Sequence, residues 1–405
     1  MNYDASLILP YTGLRILDIS QGIAGPYCAH ILWQQGADVT KVEPPSGDWG
    51  RFVGVVRGEH SALSIQYNAG KRSIAIDGKV AAGRALLRQL ALQADIVVQN
   101  FRPGVAERMG LGYAALAALK PDLLYVSISG YGPDGPYAEA PASDSVMQAD
   151  SGLMVTNQDQ HGVPRRIGML MADVATGLYA AQAASAALYQ RLARGVGSHV
   201  EVSLFEACAS LQGINFLEHA MAGQRPFGAV SAPNGVFETA DGQLTLLALN
   251  NDQFARVCRA LGQEAWLTDV RFTDNTLRMA HAEFLHAAIN TLLKLQPTAF
   301  WMAQLQAHDV LHAPVRGYDA VMAHPQSSHV QMFQPLVQPG LGSSLADLSP
   351  LPYLGLPATP FRRKVGAAPR IGEHSVRILV DAGFDAAHID QWTAAGVVCQ
   401  AAAAA

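Results

Sequence analysis

Charge is scarce in this chain: 15% of its 405 residues are Asp, Glu, Lys or Arg, and the formal balance is −5. That balance argues against nucleic acid or an anionic membrane as the main partner, while leaving room for a local basic pocket that takes a phosphorylated small molecule. Cysteine is scarcer still. Cys28, Cys208, Cys258 and Cys399 lie far apart, with no C-x-x-C pair and no His at ligand spacing, so the reading is reduced, metal-free and cytoplasmic. No basic stretch precedes an apolar run at Met1–Asp4, so no signal peptide is expected. No apolar run is long enough to span a bilayer; the Ala-rich stretch 178–192 comes nearest and carries Gln182, Gln190 and Arg191. A G-x-S-x-G nucleophile motif is absent. Gly22 and Gly25 sit where a dinucleotide fingerprint would fall, but Ser20 replaces its first glycine and Pro26 follows, which disfavours a nicotinamide enzyme.

What is present is core-forming material. Half of the residues are apolar, enough for two domains or one large α/β domain with an insertion. Short apolar runs at 14–19, 37–42, 73–77, 96–98 and 123–129 alternate with helical segments, notably 26–36 and 79–92. This alternation predicts a parallel sheet covered on both faces, with ligands at the carboxyl ends of its strands. A long helix is expected over about 168–194, with Leu178, Ala181, Ala184, Leu188 and Leu192 as one buried stripe, and a further helix carries Phe205, Leu211 and Phe216. Around 225 the texture changes. Val236–Thr239 and Leu244–Leu249 flank Asp241-Gly242 as a hairpin, so 1–224 reads as a large domain and 225–328 as a smaller α/β domain. Residues 329–405 comprise a Pro-rich extended linker at 335–363 and terminal helices near 371–382 and 386–394 that return to the large domain.

Three segments carry candidate chemistry. Asp173 opens the Ala-rich helix and reads first as an N-cap, a role typically worth about 1 kcal/mol. The helix dipole and amides there would keep its carboxylate charged, a charged carboxylate can attack a thioester, and the same amides could hold the resulting oxyanion. Gln99-Asn100-Phe101-Arg102-Pro103-Gly104 leaves the strand at 96–98, where a parallel sheet meets a ligand. Lys71 and Arg72 are adjacent cations able to clamp phosphate.

In combination these segments resemble the class III coenzyme A transferases, a group that also holds α-methylacyl-CoA racemases. The resemblance runs from about 12 to 395. Its marks are Leu17-Asp-Ile with Ala24-Gly-Pro26, Lys41-Val-Glu43, Gly47-Asp48 with Arg51, and Gly70-Lys-Arg-Ser73. Gln99–Gly104, Arg108-Met-Gly110, Ser129-Gly-Tyr-Gly132, Asp173 with Gly177, and Arg370-Ile-Gly-Glu-His374 complete the series. The resemblance implies a Rossmann-like large domain built from both chain ends, a smaller domain, and an interlocked homodimer. It implies Asp173 as a nucleophile that forms a mixed anhydride and then an aspartyl-CoA thioester, with no permanently bound cofactor. It places CoA contacts at Lys71, Arg72, Asn100, Phe101, Arg108 and Met109, and it makes an acyl-CoA and a carboxylic acid the substrates. Ile23 stands where oxalate-specialised members carry Gln, and Pro44 where many carry Arg, which argues against oxalate and against one CoA contact. The racemase alternative needs a His before Asp144; this chain has Ser143, a poor base.

Overall fold

The computed structural model describes residues 8–159, 161–222, 230–341, 350–357 and 363–401. Met1–Asp4 and the expected boundary at 224/225 lie outside the described residues. The chain divides into two compact units, residues 1–221 with 326–405, and residues 222–325.

In the larger unit, β1 (Arg15–Asp18) leads through α1 (Ala24–Gln34) to β2 (Asp38–Glu43). A small hairpin, β3 (Val56–Arg57) and β4 (His60–Ser61), precedes α2 (Ala62–Asn68) and β5 (Arg72–Ile76). Then come α3 (Ala81–Gln93), β6 (Ile96–Gln99), α4 (Val105–Arg108), α5 (Tyr113–Ala117) and β7 (Leu124–Ser129). The run continues with α6 (Asp144–Asp150), α7 (Met171–Arg194), β8 (Ser198–Ser203), α8 (Leu204–Ser210) and α9 (Gly213–Ala222). The single helix expected around Phe205–Phe216 is two, broken before Gly213, where Gln212 Nε2 donates to Ser151 O and Cys208 O.

Six strands pair in parallel in the order β5-β2-β1-β6-β7-β8. The strand Val398–Cys399 adds antiparallel to β5 at the edge, so the sheet is parallel-dominated and not wholly parallel. Successive residues alternate between two cores, as the pleat requires. Ile16, Val39, Ile96, Val98 and Val126 face α1 and α7, while Leu17, Val42, Ile74, Val97 and Tyr125 face α3 and the helices Ser375–Asp381 and Ala386–Ala394. Strand order reverses between β1 and β6. In a doubly wound sheet the ligand crevice opens there, beyond the carboxyl ends.

The expected stripe on α7 is corrected. Ala181, Ala184 and Leu188 are buried, but Leu178 is 47% and Leu192 is 84% exposed. The buried face is made of Ala172, Ala175, Thr176, Gly177, Ala180 and Ala184 because α1 lies too close for leucine: a Cβ on Gly177 would sit 2.9 Å from Ala24 O. Gly195 closes the helix in the left-handed region at φ 72°.

The smaller unit pairs β9 (Asn234–Glu238), β10 (Gln243–Leu247) and β11 (Leu311–Pro314) as an antiparallel sheet over a core of Phe237, Leu244, Leu246, Ile289 and Leu305. Asp241 in the hairpin accepts from Thr298 N at 2.7 Å, tying the turn to the helix Thr298–Ala307. The described part of the Pro-rich stretch is not mere linker: β12 (Phe333–Leu336) and β13 (Leu351–Leu354) pair antiparallel, and Leu336 and Tyr353 pack on Ile65 and Ala69 of the larger unit.

Candidate active site

The segment 20–26, the loop after β1 together with the first residues of α1, lies at the switch point and is pinned from several sides. Asp18, fully buried, accepts from Lys71 Nζ at 2.8 Å and lies 4.0 Å from Lys41 Nζ. Lys41 pairs with Asp48 at 2.9 Å and donates to Ser20 O, and Asp48 in turn accepts from Gly22 N at 2.9 Å. Burial acts to raise the Asp18 carboxyl, but Lys41 and Lys71 outweigh it and hold it below its ordinary value. Burial pulls Lys71 down to about 8, partly opposed by Asp18. Asn100, at the end of β6, closes the loop from the other side: its Oδ1 accepts from Gln21 N at 2.8 Å and its Nδ2 donates to Gln21 O at 2.7 Å.

This geometry revises two expectations. Lys71 directs its Nζ protons at Asp18, Pro26 O and Asn68, so no donor remains for a phosphate. Arg72 bonds Asp38 and Asp381, toward the amino ends of β1 and β2. Adjacency in sequence gave both the look of a clamp, yet neighbouring strand residues point opposite ways. Arg108 is different: exposed at the end of α4, it forms no ion pair among the described residues, and neither does the exposed Arg102. Met109 and Phe101 are half-buried against the sheet, with Met109 Cε at 3.0 Å from where a Gly78 Cβ would stand. Asn100, Phe101, Arg108 and Met109 thus lie in the segment that leaves the carboxyl end of β6, whereas Lys71 is consumed by Asp18, Pro26 and Asn68 and Arg72 is turned to Asp38 and Asp381.

Asp173 is the third residue of α7 and does not cap it. The cap is supplied from α6: Asp144 Oδ1 accepts Ala172 N–H at 2.8 Å, and Asp173 N lies 3.5 Å from the same oxygen. Gln148, one turn along α6, steadies Asp144 at 2.8 Å, and Arg166 lies 3.8 Å away. Had Asp173 capped its own helix, the amides would have occupied its oxygens. Instead it lies on the alanine face toward α1, half-buried, and its carboxylate accepts no hydrogen bond among the described residues. Burial, with the Asp144 charge second, pushes it up to about 7. Asp144 and Gln148 are the contributors that sequence reasoning missed; their i,i+4 spacing was visible, but the link to a helix 28 residues on was not.

An unpartnered carboxyl of raised pKa beside the switch-point crevice is an arrangement suited to nucleophilic or acid–base work on a ligand held there. Among the described residues no cluster of His, Cys, Asp and Glu could hold a metal, and no helix is long and apolar enough to cross a membrane.

Comparison with known proteins defines the class. The family model for CoA-transferase family III matches residues 11–375. A succinate–glutarate CoA-transferase from Agrobacterium fabrum is 34% identical, over 92% of this chain and 95% of its own. An acetyl-CoA:oxalate CoA-transferase from Acetobacter aceti is 35% identical, over 75% of this chain and 78% of its own. The crystal structure of a CaiB/BaiF family protein from Brucella suis is 29% identical and superposes with a TM-score of 0.79, covering 93% of this chain and 100% of that one. The chain belongs to CoA-transferase family III and is a transferase enzyme that uses CoA thioesters.

Proposed function

We propose that the enzyme moves CoA from an acyl-CoA to a carboxylic acid through two covalent states of Asp173. An Asp173 carboxylate oxygen attacks the thioester carbonyl; the C–S bond breaks, leaving a mixed anhydride and CoA thiolate. The thiolate then attacks the aspartyl carbonyl of the anhydride, releasing the donor acid and leaving an aspartyl-CoA thioester. The acceptor carboxylate repeats both steps in reverse. The observation that carries this reading is the unpartnered Asp173 carboxyl raised to about 7, because a more basic carboxylate is a better nucleophile once ionised. Asn100, Phe101, Arg108 and Met109 would cradle CoA, with Arg108 as the free cation for its phosphates. Ser143, exposed ahead of α6, offers no second base, which favours transfer over racemisation.

Short dicarboxylic acids such as succinate are the proposed substrates, in keeping with the relative from Agrobacterium fabrum. Buried Ile23 supplies no polar contact of the kind an oxalyl group needs. An interlocked homodimer is also part of the proposal. Ile214, Phe216, Leu217 and Met221 on α9 are 52–86% exposed, an apolar face that a second chain would cover. Mixing succinyl-CoA with a panel of labelled acids should yield the matching labelled acyl-CoA by mass spectrometry, with the active species sedimenting as a dimer. Deuterium entering a 2-methylacyl-CoA without any acceptor acid would instead mark a racemase.

The pH dependence follows from Asp173. A carboxyl raised to about 7 is protonated below that value, so the nucleophile gains charge as pH rises. Succinate release from succinyl-CoA in a single turnover without acceptor should climb about tenfold per unit between pH 5 and 6 and level off by about 8. A rate flat from pH 5 to 9 would contradict the assignment.

A further inference from the structure

Each acyl transfer at Asp173 passes a tetrahedral stage whose oxyanion needs hydrogen-bond donors about 3 Å away. The amides heading α7 do not provide them, because Asp144 Oδ1 takes Ala172 N–H and faces Asp173 N–H. Ile23, just ahead of α1, has no polar hydrogen on its side chain. One turn further on, Tyr27 shares that face of α1, its N–H bonded to Ile23 O at 2.7 Å. Its ring occupies the space that Gly177 leaves open: a Cβ at 177 would lie 2.8 Å from Tyr27 Cδ1. Gly177 stands four residues after Asp173, and i,i+4 positions lie one above the other on one helix face. The Tyr27 ring is therefore a neighbour of the nucleophile. Tyr67, in the last turn of α2, completes the group, its ring centroid 5.1 Å from that of Tyr27. Both tyrosines are half-buried, and neither hydroxyl forms a hydrogen bond among the described residues.

We propose that the Tyr67 hydroxyl, with Tyr27 beside it, donates to the acyl carbonyl oxygen during transfer to and from Asp173, forming the oxyanion site of this enzyme. No proton changes hands: the carbonyl oxygen gains charge as the Asp173 oxygen bonds to carbon and returns it as the C–S bond breaks. Burial, then Tyr27 and Asp173, push the Tyr67 phenol up to about 12, and burial also raises Tyr27. Tyr67 therefore keeps its proton, and remains a donor, across the range in which Asp173 becomes ionised.

The proposal rests on Asp173 as nucleophile, and the test separates the two. Y67F and Y27F, in the full chain, are mixed with succinyl-CoA without acceptor, and the succinate released in the first turnover is followed by rapid quench and mass spectrometry. Y67F should slow release about 10- to 100-fold and Y27F less, with CoA affinity by calorimetry, melting temperature and the rise in rate near pH 7 unchanged. Wild-type release by both variants, or a loss tracked by weaker CoA binding or a lower melting temperature, would overturn the tyrosine role. Asp173→Ala serves as reference: if it is inert while Y67F is unimpaired, only the tyrosine role falls, whereas release by Asp173→Ala removes the nucleophile itself.

Discussion

Asp173→Ala should lower CoA exchange between succinyl-CoA and labelled succinate by on the order of a thousandfold or more. The expectation rests on the site's simplicity. Among the described residues the other carboxylate beside it is Asp144, which already accepts the α7 amide and the Gln148 side chain. No second group is therefore placed to form the anhydride in its stead. CoA binding should change only a few-fold, since Asn100, Phe101, Arg108 and Met109 lie in the segment that leaves β6 and are untouched by the substitution. The two readouts together matter: a variant that lost affinity and activity in parallel would point to a contact residue and not to a nucleophile.

The second large effect concerns the charges beneath segment 20–26. Asp18→Asn keeps shape but removes the carboxylate that, among the described residues, lies within 4.0 Å of both Lys41 and Lys71. Breaking a buried pair by removing one partner costs about 3–5 kcal/mol, because the remaining charge is left in a poor dielectric. The urea midpoint should fall accordingly, and exchange should fall with it as the loop loses its anchor. The double variant Asp18→Asn with Lys71→Met should recover part of that stability, since the uncompensated ammonium is then gone. A midpoint within about 0.5 kcal/mol of wild type for Asp18→Asn would overturn the pinning role. Lys71→Met alone discriminates further: lower stability is expected from the bonds to Asp18, Pro26 and Asn68. Unchanged stability with weakened CoA binding would return Lys71 to the phosphate-clamp role that its neighbour in sequence suggests.

Local pattern made much of this legible. The strands at β1, β2, β5, β6 and β7 are short apolar runs between helical segments, and the position of Asp173 stood out through its neighbours in order along the chain. The chemistry of Asp173 was less accessible. Sequence made it a cap kept charged by amides; the structure gives the amides to Asp144 and the burial to Asp173, reversing the direction of its pKa. That reversal depends on a contact between α6 and α7 and on the approach of α1 allowed by Gly177, and neither has a local signature. Leu178 and Leu192 misled for a related reason. At helical spacing they look like core, yet close helix packing selects alanine and glycine for the buried face and leaves the leucines outside. Pairing of β12 with β13 was hidden by proline, which reads as linker unless the partner strand is known.

The most direct measurement is peptide mass spectrometry of the enzyme after incubation with succinyl-CoA and hydroxylamine. Asp173, and no other carboxylate, should become a hydroxamate, the modification should require succinyl-CoA, and activity should disappear in proportion. An enzyme that exchanges CoA at full rate while Asp173 stays unmodified, or that carries the hydroxamate on another residue, would contradict Asp173 as the nucleophile.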